Sequence, residues 1–129
     1  MKELKRVMLV ENDPDIAMLA QIAIEEFGEL EFVHHSSGAK AVEEAATSPP
    51  DLVILDYRMP GMNGEEVMAA LRQTQAGAAL PIVFMTASLM PQHVERLRQL
   101  GALDVLAKPF DPLTLADQLK SIWRRTQQE

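Results

Sequence analysis

Residues 50–64 read PDLVILDYRMPGMNG, and the centre of this stretch decides the fold. The run from Leu52 to Leu55 is apolar at every position, so it predicts a strand that is buried on both faces. Four other runs share this character, the last two of them more weakly: Val7–Val10, Ile82–Met85, Leu30–Val33 and Val105–Ala107. Strands of this kind are typical of a parallel sheet that is covered by helices.

Amphipathic segments separate the apolar runs. In the first segment, apolar residues recur at three- and four-residue spacing from Ile16 to Phe27, and Gly28 ends the predicted helix. Four later helices are marked by the following apolar residues: Ala39 to Ala46; Val67, Ala70 and Leu71; Val94, Leu97 and Leu100; Leu115, Leu119, Ile122 and Trp123. Five repeats of a strand followed by a helix predict a doubly wound, three-layer α/β domain.

The composition is that of one acidic globular domain. The chain has 129 residues, and its 47% of apolar residues is enough for a single hydrophobic core. The formal net charge of -7 argues against direct nucleic-acid binding, and the absence of cysteine excludes thiolate chemistry. No apolar run approaches the length of a membrane span. We expect one cytoplasmic domain over residues 1–129, with its core between residues 5 and 125 and a polar, frayed tail over residues 126–129.

Polar residues follow the apolar runs where the predicted strands end. Glu11-Asn12-Asp13 follow the first run, and Asp56, Thr86 and Lys108 follow the third, fourth and fifth. Ligands of open α/β sheets bind outside the carboxyl ends of the strands, so these side chains should converge at one edge. The second run ends in His34-His35-Ser36 and does not fit this set, which an edge position for that strand would explain.

Carboxylates grouped with a hydroxyl and an amine suit phosphoryl transfer. Carboxylates that repel one another bind a hard divalent cation, and Mg²⁺ is typically held by one or two of them with water and phosphate oxygens. A carboxylate can then attack a phosphoryl group and form an acyl phosphate. The transferred group needs cationic and hydroxyl partners, and Lys108 and Thr86 are of the right types.

With their surroundings, these motifs resemble the receiver domain of two-component response regulators. The matching segments are Leu9–Pro14, Pro50–Gly64, Pro81–Ala87 and Gly101–Phe110, which occur in the family's order and span nearly the whole chain. The resemblance is to single-domain, chemotaxis-regulator-like members in particular. It implies a flavodoxin-like (βα)5 fold, with a five-stranded parallel sheet of order 2-1-3-4-5 and helices on both faces.

The resemblance also implies a role for each matching residue. Asp56 would accept the phosphoryl group, and Thr86 and Lys108 would contact its oxygens. The groups implied to support Mg²⁺ are Glu11, Asn12, Asp56 and the main-chain carbonyl of Arg58. A cis peptide bond would precede Pro109, and the side chains of Arg58 and Ser88 would flank the phosphoryl site.

Two residues depart from the family pattern. Asn12 stands where a metal-binding aspartate is expected, so it offers an amide oxygen but removes one negative charge. Asp13 would add negative potential, although Asp13-Pro14-Asp15 also matches the capped start of a helix, which we favour. Val105 stands where the family often has Tyr or Phe, whose rotation accompanies activation. Val105 therefore marks either a differently built switch or ordinary core filling.

The leading functional hypothesis is a phosphorylation-controlled switch. A histidine kinase or histidine phosphotransfer protein would donate a phosphoryl group to Asp56, and the domain itself would supply the Mg²⁺ site and the transfer chemistry. Phosphorylation would then shift a conformational equilibrium and change a protein-binding face. The effect would pass to a downstream protein or to a missing output domain, with no direct contact to nucleic acid or membrane.

Two other functions compete with this hypothesis. Asn12 and Val105 favour a degenerate receiver that acts as an interaction module without phosphorylation, whereas Asp56, Thr86 and Lys108 argue against it. A stand-alone phosphatase or phosphotransferase with an aspartyl nucleophile needs a substrate cavity and usually a cap. A chain of this length disfavours that enzyme, so we expect a signalling domain that catalyses only its own phosphorylation.

Overall fold

In the computed structural model, which describes residues 2–128, five parallel strands form one sheet. The strands are β1 (Arg6–Val10), β2 (Glu31–His35), β3 (Leu52–Asp56), β4 (Ile82–Thr86) and β5 (Asp104–Ala107). Their order in the sheet is β2-β1-β3-β4-β5, which confirms the predicted order. It also confirms the edge position that the polar end of the second apolar run suggested for β2.

Helices connect successive strands and cover both faces of the sheet. They are α1 (Pro14–Gln21), which continues as a π-helical segment (Ile22–Phe27), then α2 (Gly38–Thr47), α3 (Gly64–Arg72), α4 (Pro91–Gln99) and α5 (Leu115–Thr126). The Asp13 side chain accepts the main-chain N–H groups of Asp15 and Ile16 at 2.9 and 3.4 Å, which confirms that it caps α1. Among residues 2–128, no helix is both long and apolar enough to cross a membrane.

Alternate residues of the central strands face two separate cores. Leu9 and Ile54 pack on the face that α1 and α5 cover, whereas Met8 and Phe84 pack on the face of α2, α3 and α4. Every residue of β3 and β4 is buried, as the unbroken apolar runs predicted. This double burial leaves the carboxyl ends of the strands as the place where polar side chains can meet solvent.

The first helix differs from its predicted pattern. The apolar spacing predicts one buried stripe as far as Phe27, but Leu19 and Phe27 are 48% and 54% exposed. Residues 22–27 form a π-helical segment, whose i→i+5 hydrogen bonds change the helical phase. As a result, Ala23 and Ile24 stay fully buried while Phe27 turns outward.

Two further details at helix ends depart from the predictions. Leu100 follows the end of α4 and is exposed, because Gly101, with a φ of 113°, turns the chain back towards the sheet directly after it. The tail begins later than predicted, since Thr126 still belongs to α5 and Oε1 of Gln127 accepts the N–H of Lys2 at 3.2 Å. Glu129, the last tail residue, lies outside the described residues.

A partly buried aspartate fixes the start of β1 beside the start of β3. Oδ2 of Asp51 accepts the main-chain N–H groups of Lys5 and Arg6 at 2.9 and 3.0 Å, and Nζ of Lys2 lies 3.0 Å from Oδ1. Burial acts to raise the pKa of Asp51, but Lys2 and the two N–H donors outweigh it. The pKa of Asp51 is therefore lower in the folded protein than its ordinary value.

Asp51→Asn is expected to lower the free energy of unfolding by about 1 kcal/mol near neutral pH, because it weakens hydrogen bonds to a charged acceptor. Since folding lowers the pKa, this stabilisation is complete above the unfolded value of about 3.9 and is lost as the pH falls through the folded value. Urea unfolding at neutral pH and near pH 2 measures it, with Glu43→Gln at an exposed position in the middle of α2 as the control. An equal difference at both pH values would contradict this account.

Candidate functional site

The carboxyl ends of four strands bring the predicted polar residues together. Glu11 follows β1, Asp56 ends β3, Thr86 ends β4 and Lys108 follows β5. Only 0%, 2% and 5% of the surfaces of Glu11, Asp56 and Thr86 are exposed. Two acids buried this deeply need a cationic partner, because an unpaired buried charge is strongly unfavourable.

Lys108 is the cation that joins the two buried carboxylates. Its Nζ lies 2.9 Å from Oε1 of Glu11 and 3.1 Å from Oδ1 of Asp56. Oε2 of Glu11 accepts the main-chain N–H of Asp13 at 3.1 Å. Within the part of the chain that the structure describes, Oδ2 of Asp56 has no hydrogen-bond partner. One oxygen of the Asp56 carboxylate is therefore buried without a protein partner.

Burial and charge act in opposite directions within this cluster. Burial raises the pKa of Glu11 and the neighbouring carboxyl of Asp56 raises it further, whereas Lys108 and the N–H of Asp13 lower it. Burial acts to lower the pKa of Lys108, but its contacts with Glu11 and Asp56 outweigh that effect. The pKa of Lys108 is therefore raised above its ordinary value. Lys108 therefore stays charged and offsets part of the negative charge of the site.

A cavity of about 350 Å³ lies beside these residues. It is lined by Ile16, Leu19, Asp56, Tyr57, Arg58, Thr86, Ala87, Lys108, Pro109 and Phe110. The Lys108–Pro109 peptide bond is cis, as the resemblance implied. Charged and hydroxyl groups thus share the cavity with apolar walls, an arrangement that suits a small anionic group held against Asp56.

The other predicted residues occupy more peripheral positions. Asn12 follows Glu11 and is exposed, and the side chain of Arg58 is exposed at the cavity. Ser88 is exposed too, but its main-chain N–H donates to Oγ1 of Thr86 at 3.2 Å. Val105 is half-buried and packs against the core beneath α2, α3 and α4, which fits the core-filling interpretation.

The donor atoms at this edge fit a hard divalent cation. Glu11 and Asp56 supply carboxylate oxygens, and Asn12 and the main-chain carbonyl of Arg58 are neutral oxygen donors that follow them in the chain. Residues 2–128 contain no group of three or more His, Cys, Asp or Glu side chains placed to hold a metal. A two-carboxylate site agrees with this, since Mg²⁺ is usually bound through one or two carboxylates and water.

A contact from the edge strand was not predicted. Nε2 of His34 lies 2.7 Å from the main-chain carbonyl of Glu11. A carbonyl oxygen only accepts, so the imidazole must donate, and the bond ties the end of β1 to β2. His34 therefore supports the backbone that carries Glu11.

A second group of polar residues behind Thr86 was also missed. Nε2 of His93, on α4, lies 3.4 Å from Oγ1 of Thr86, and the His93 ring packs edge-on against Tyr57. The Tyr57 hydroxyl donates to Oε2 of Glu65 at 2.7 Å, and Glu65 forms a salt bridge with Arg96. The available sequence signals were the place of Tyr57 directly after β3 and the three-residue spacing of His93 and Arg96 on one helix.

Comparison with known proteins places this geometry in a family. Residues 7–120 match the response regulator receiver domain. The chain is 32% identical over 125 residues to the alkaline phosphatase synthesis transcriptional regulatory protein PhoP of Bacillus subtilis, a match that covers 95% of this chain and 50% of that protein. It is 36% identical over 114 residues to the sensor histidine kinase GacS of Pseudomonas protegens, covering 86% of this chain and 12% of that protein. The chain thus spans half or less of these relatives.

Solved structures show the same fold. The chemotaxis response regulator CheY4 of Vibrio cholerae matches with a TM-score of 0.84 and 27% identity, over 92% of this chain and 98% of that one. A sensor protein from Polaromonas matches with a TM-score of 0.79 and 28% identity, over 94% of both chains. With the family match over residues 7–120 and the sheet order in agreement, the chain belongs to the response regulator receiver domains of two-component signal transduction.

Proposed function

We propose that Asp56 accepts a phosphoryl group from a phosphohistidine and that the domain catalyses this transfer itself. The observation that carries the proposal is the buried Asp56 carboxylate at the cavity, with Lys108 3.1 Å from one oxygen and the other oxygen without a partner. The donor would be a histidine kinase or a histidine phosphotransfer protein. We further propose that residues 1–129 act as one receiver domain.

Each residue of the site has a separate role in the proposed phosphoryl transfer. The Asp56 carboxylate attacks phosphorus, the P–N bond to the donor imidazole breaks, and an acyl phosphate forms on Asp56. Lys108 and the hydroxyl of Thr86 stabilise the charge on the phosphoryl oxygens. Glu11, Asp56, Asn12 and the Arg58 carbonyl would hold Mg²⁺, which would supply the remaining charge neutralisation.

The donor is proposed to dock over α1 and the cavity. Met18 and Leu19 are exposed on α1, and Leu19 also lines the cavity together with Phe110. This apolar rim next to Asp56 suits a helical surface that presents a phosphohistidine. A donor charged by an ATP-using kinase would place the exchange in the cytoplasm. The signal then passes to a downstream protein or to an output domain in the same polypeptide.

The proposal is tested by intact mass after incubation with Mg²⁺ and acetyl phosphate. The wild-type protein is expected to gain one phosphoryl group only when Mg²⁺ is present, and Asp56→Ala is expected to gain none. Asp117→Asn, on the exposed face of α5, should behave as the wild type does. If neither acetyl phosphate nor a phosphorylated histidine kinase modifies the wild type, the phosphorylation-independent interaction module becomes the better account.

Asn12→Asp is expected to tighten Mg²⁺ binding by roughly 30-fold, since one added negative charge at about 4 Å from a doubly charged cation is worth about 2 kcal/mol even in water. Asn12 is exposed, so the substitution should leave the fold intact. Calorimetric titration of both proteins with Mg²⁺ measures the two dissociation constants. Equal constants would show that Asn12 is not part of the metal site.

A further inference from the structure

Thr86 has one hydroxyl proton, and two acceptors would compete for it. Oγ1 of Thr86 accepts the main-chain N–H of Ser88 at 3.2 Å and lies 3.4 Å from Nε2 of His93, which accepts the hydroxyl proton when the imidazole carries its own proton on Nδ1. In the proposed function, the same hydroxyl donates to a phosphoryl oxygen on Asp56. A hydroxyl donates only one hydrogen bond, so in this tautomer the phosphoryl group and His93 exclude each other as partners.

The contacts of the His93 ring lead from Thr86 to the protein surface. Its centroid lies 4.6 Å from that of Tyr57 with the planes at 81°, a favourable edge-to-face contact. The Tyr57 hydroxyl donates to Oε2 of Glu65 at 2.7 Å, and Nη2 of Arg96 donates to Oε1 at 2.7 Å. Arg96 follows His93 by three positions on α4, and its side chain is 55% exposed. A movement of the His93 ring would therefore act, through Tyr57, on the Glu65–Arg96 salt bridge between α3 and α4.

We propose that His93, with its proton on Nδ1 and Nε2 as the acceptor, is the positioning residue of Thr86, and that the Tyr57–His93 ring pair passes the phosphorylation signal to the Glu65–Arg96 pair. The inference rests on the proposed function, because a phosphoryl group on Asp56 is what withdraws the hydroxyl from His93. The bond between Thr86 and His93 stabilises the resting conformation, and its loss shifts the population.

The identity of residue 105 favours signal transmission through His93 and Tyr57. Val105 packs against the core beneath α2, α3 and α4 and carries neither a ring nor a hydroxyl. A signal in this chain cannot leave the site through an aromatic side chain on β5. Tyr57 and His93 supply the aromatic contact instead, and they lie on the side of Thr86 that faces α3 and α4.

Binding of beryllium fluoride with Mg²⁺ tests the role of His93, because it forms a phosphoryl-like adduct on an aspartate. His93→Leu removes the competing acceptor, so it is expected to tighten this binding about two- to fivefold. His93→Gln keeps a polar group at this place and is expected to return the affinity towards the wild-type value. Gln92→Leu, at the exposed neighbouring position, is the control and should change nothing.

A double-mutant cycle identifies the partner of His93. In a Thr86→Val background, His93→Leu is expected to leave the affinity unchanged, because the hydroxyl is already gone. Wild-type affinity in the single variant His93→Leu, or equal tightening with and without Thr86→Val, would overturn the inference. Failure of the wild-type protein itself to bind beryllium fluoride would overturn the proposed function as well, so the two failures are distinguishable.

NMR of the wild-type protein tests the transmission step without any substitution. The chain has three histidines, so the ring signals are simple to assign. Saturation with beryllium fluoride and Mg²⁺ is expected to shift the His93 ring signals and the Nε–H signal of Arg96. His35, whose Nε2 lies 3.2 Å from Glu44 at the edge of the sheet, is the internal reference. An unmoved Arg96 signal at saturation would overturn the route to the surface.

Discussion

Lys108→Met is expected to slow phosphorylation by acetyl phosphate about 100-fold, the typical effect of removing one donor that stabilises transition-state charge. Nζ of Lys108 lies within 3.1 Å of both Glu11 and Asp56, and among residues 2–128 no other side chain forms a salt bridge with either carboxylate. Methionine keeps a similar length and apolar stem but carries no charge. The rate at saturating Mg²⁺ is the measurement, and Lys120→Met on α5 is the control.

The same substitution should change Mg²⁺ binding in the opposite direction. Loss of a positive charge next to Glu11 and Asp56 makes the site more negative, so the affinity for Mg²⁺ should rise while the transfer rate falls. A damaged fold would lower both quantities, and the two effects are therefore separable. A rate within about threefold of the wild type would contradict the role assigned to Lys108.

Gly64→Ala is expected to lower the free energy of unfolding by about 2–3 kcal/mol and to slow phosphorylation, because the added methyl group has no room. A Cβ at Gly64 would lie 2.7 Å from the main-chain oxygen of Asp56 and 2.8 Å from Cε1 of Phe84. The closest of these atoms belongs to the backbone, so relief of the clash must shift residue 64 relative to Asp56, the proposed phosphoacceptor.

Gly61→Ala is the matched control for this prediction. Gly61 has a φ of 81° but no atom within 4 Å of its ideal Cβ position, so its substitution strains the backbone without any clash. It is expected to cost about 1 kcal/mol of stability and to leave the phosphorylation rate near that of the wild type. Chemical denaturation and the acetyl phosphate assay measure both quantities. Equal loss of rate in the two variants would show that close packing at Gly64 is not what positions Asp56.

The main features of the fold could be predicted from local patterns. The apolar runs around Ile54 and Val83 predicted buried parallel strands, and the spacing of Leu115, Leu119 and Trp123 predicted the buried face of α5, which is confirmed. The strand order came from the resemblance, because periodicity does not say which strands are neighbours. The π-helical segment after Gln21 escaped prediction since an i→i+5 turn differs from an α-helix in phase and leaves no composition signal.

The candidate site, like the fold, could be predicted only in part from the sequence. Glu11, Asp56 and Lys108 were predicted to meet because the carboxyl ends of parallel strands share one edge of the sheet. His93 was missed because its approach to Thr86 depends on how the loop over residues 87–90 sets α4 against the sheet. Such a tertiary placement is not encoded in any short motif, and a lone histidine on a helix carries no functional signal by itself.

The most direct test of Asp56 as the phosphoacceptor is to locate the phosphoryl group on the chain. The protein is incubated with acetyl phosphate and Mg²⁺ and then treated with borohydride, which reduces an aspartyl phosphate to homoserine. Peptide masses then identify the converted residue. The account predicts conversion at Asp56 and at no other acidic residue, including the neighbouring Glu11 and Asp13. Conversion at another position, with Asp56 unchanged, would contradict it.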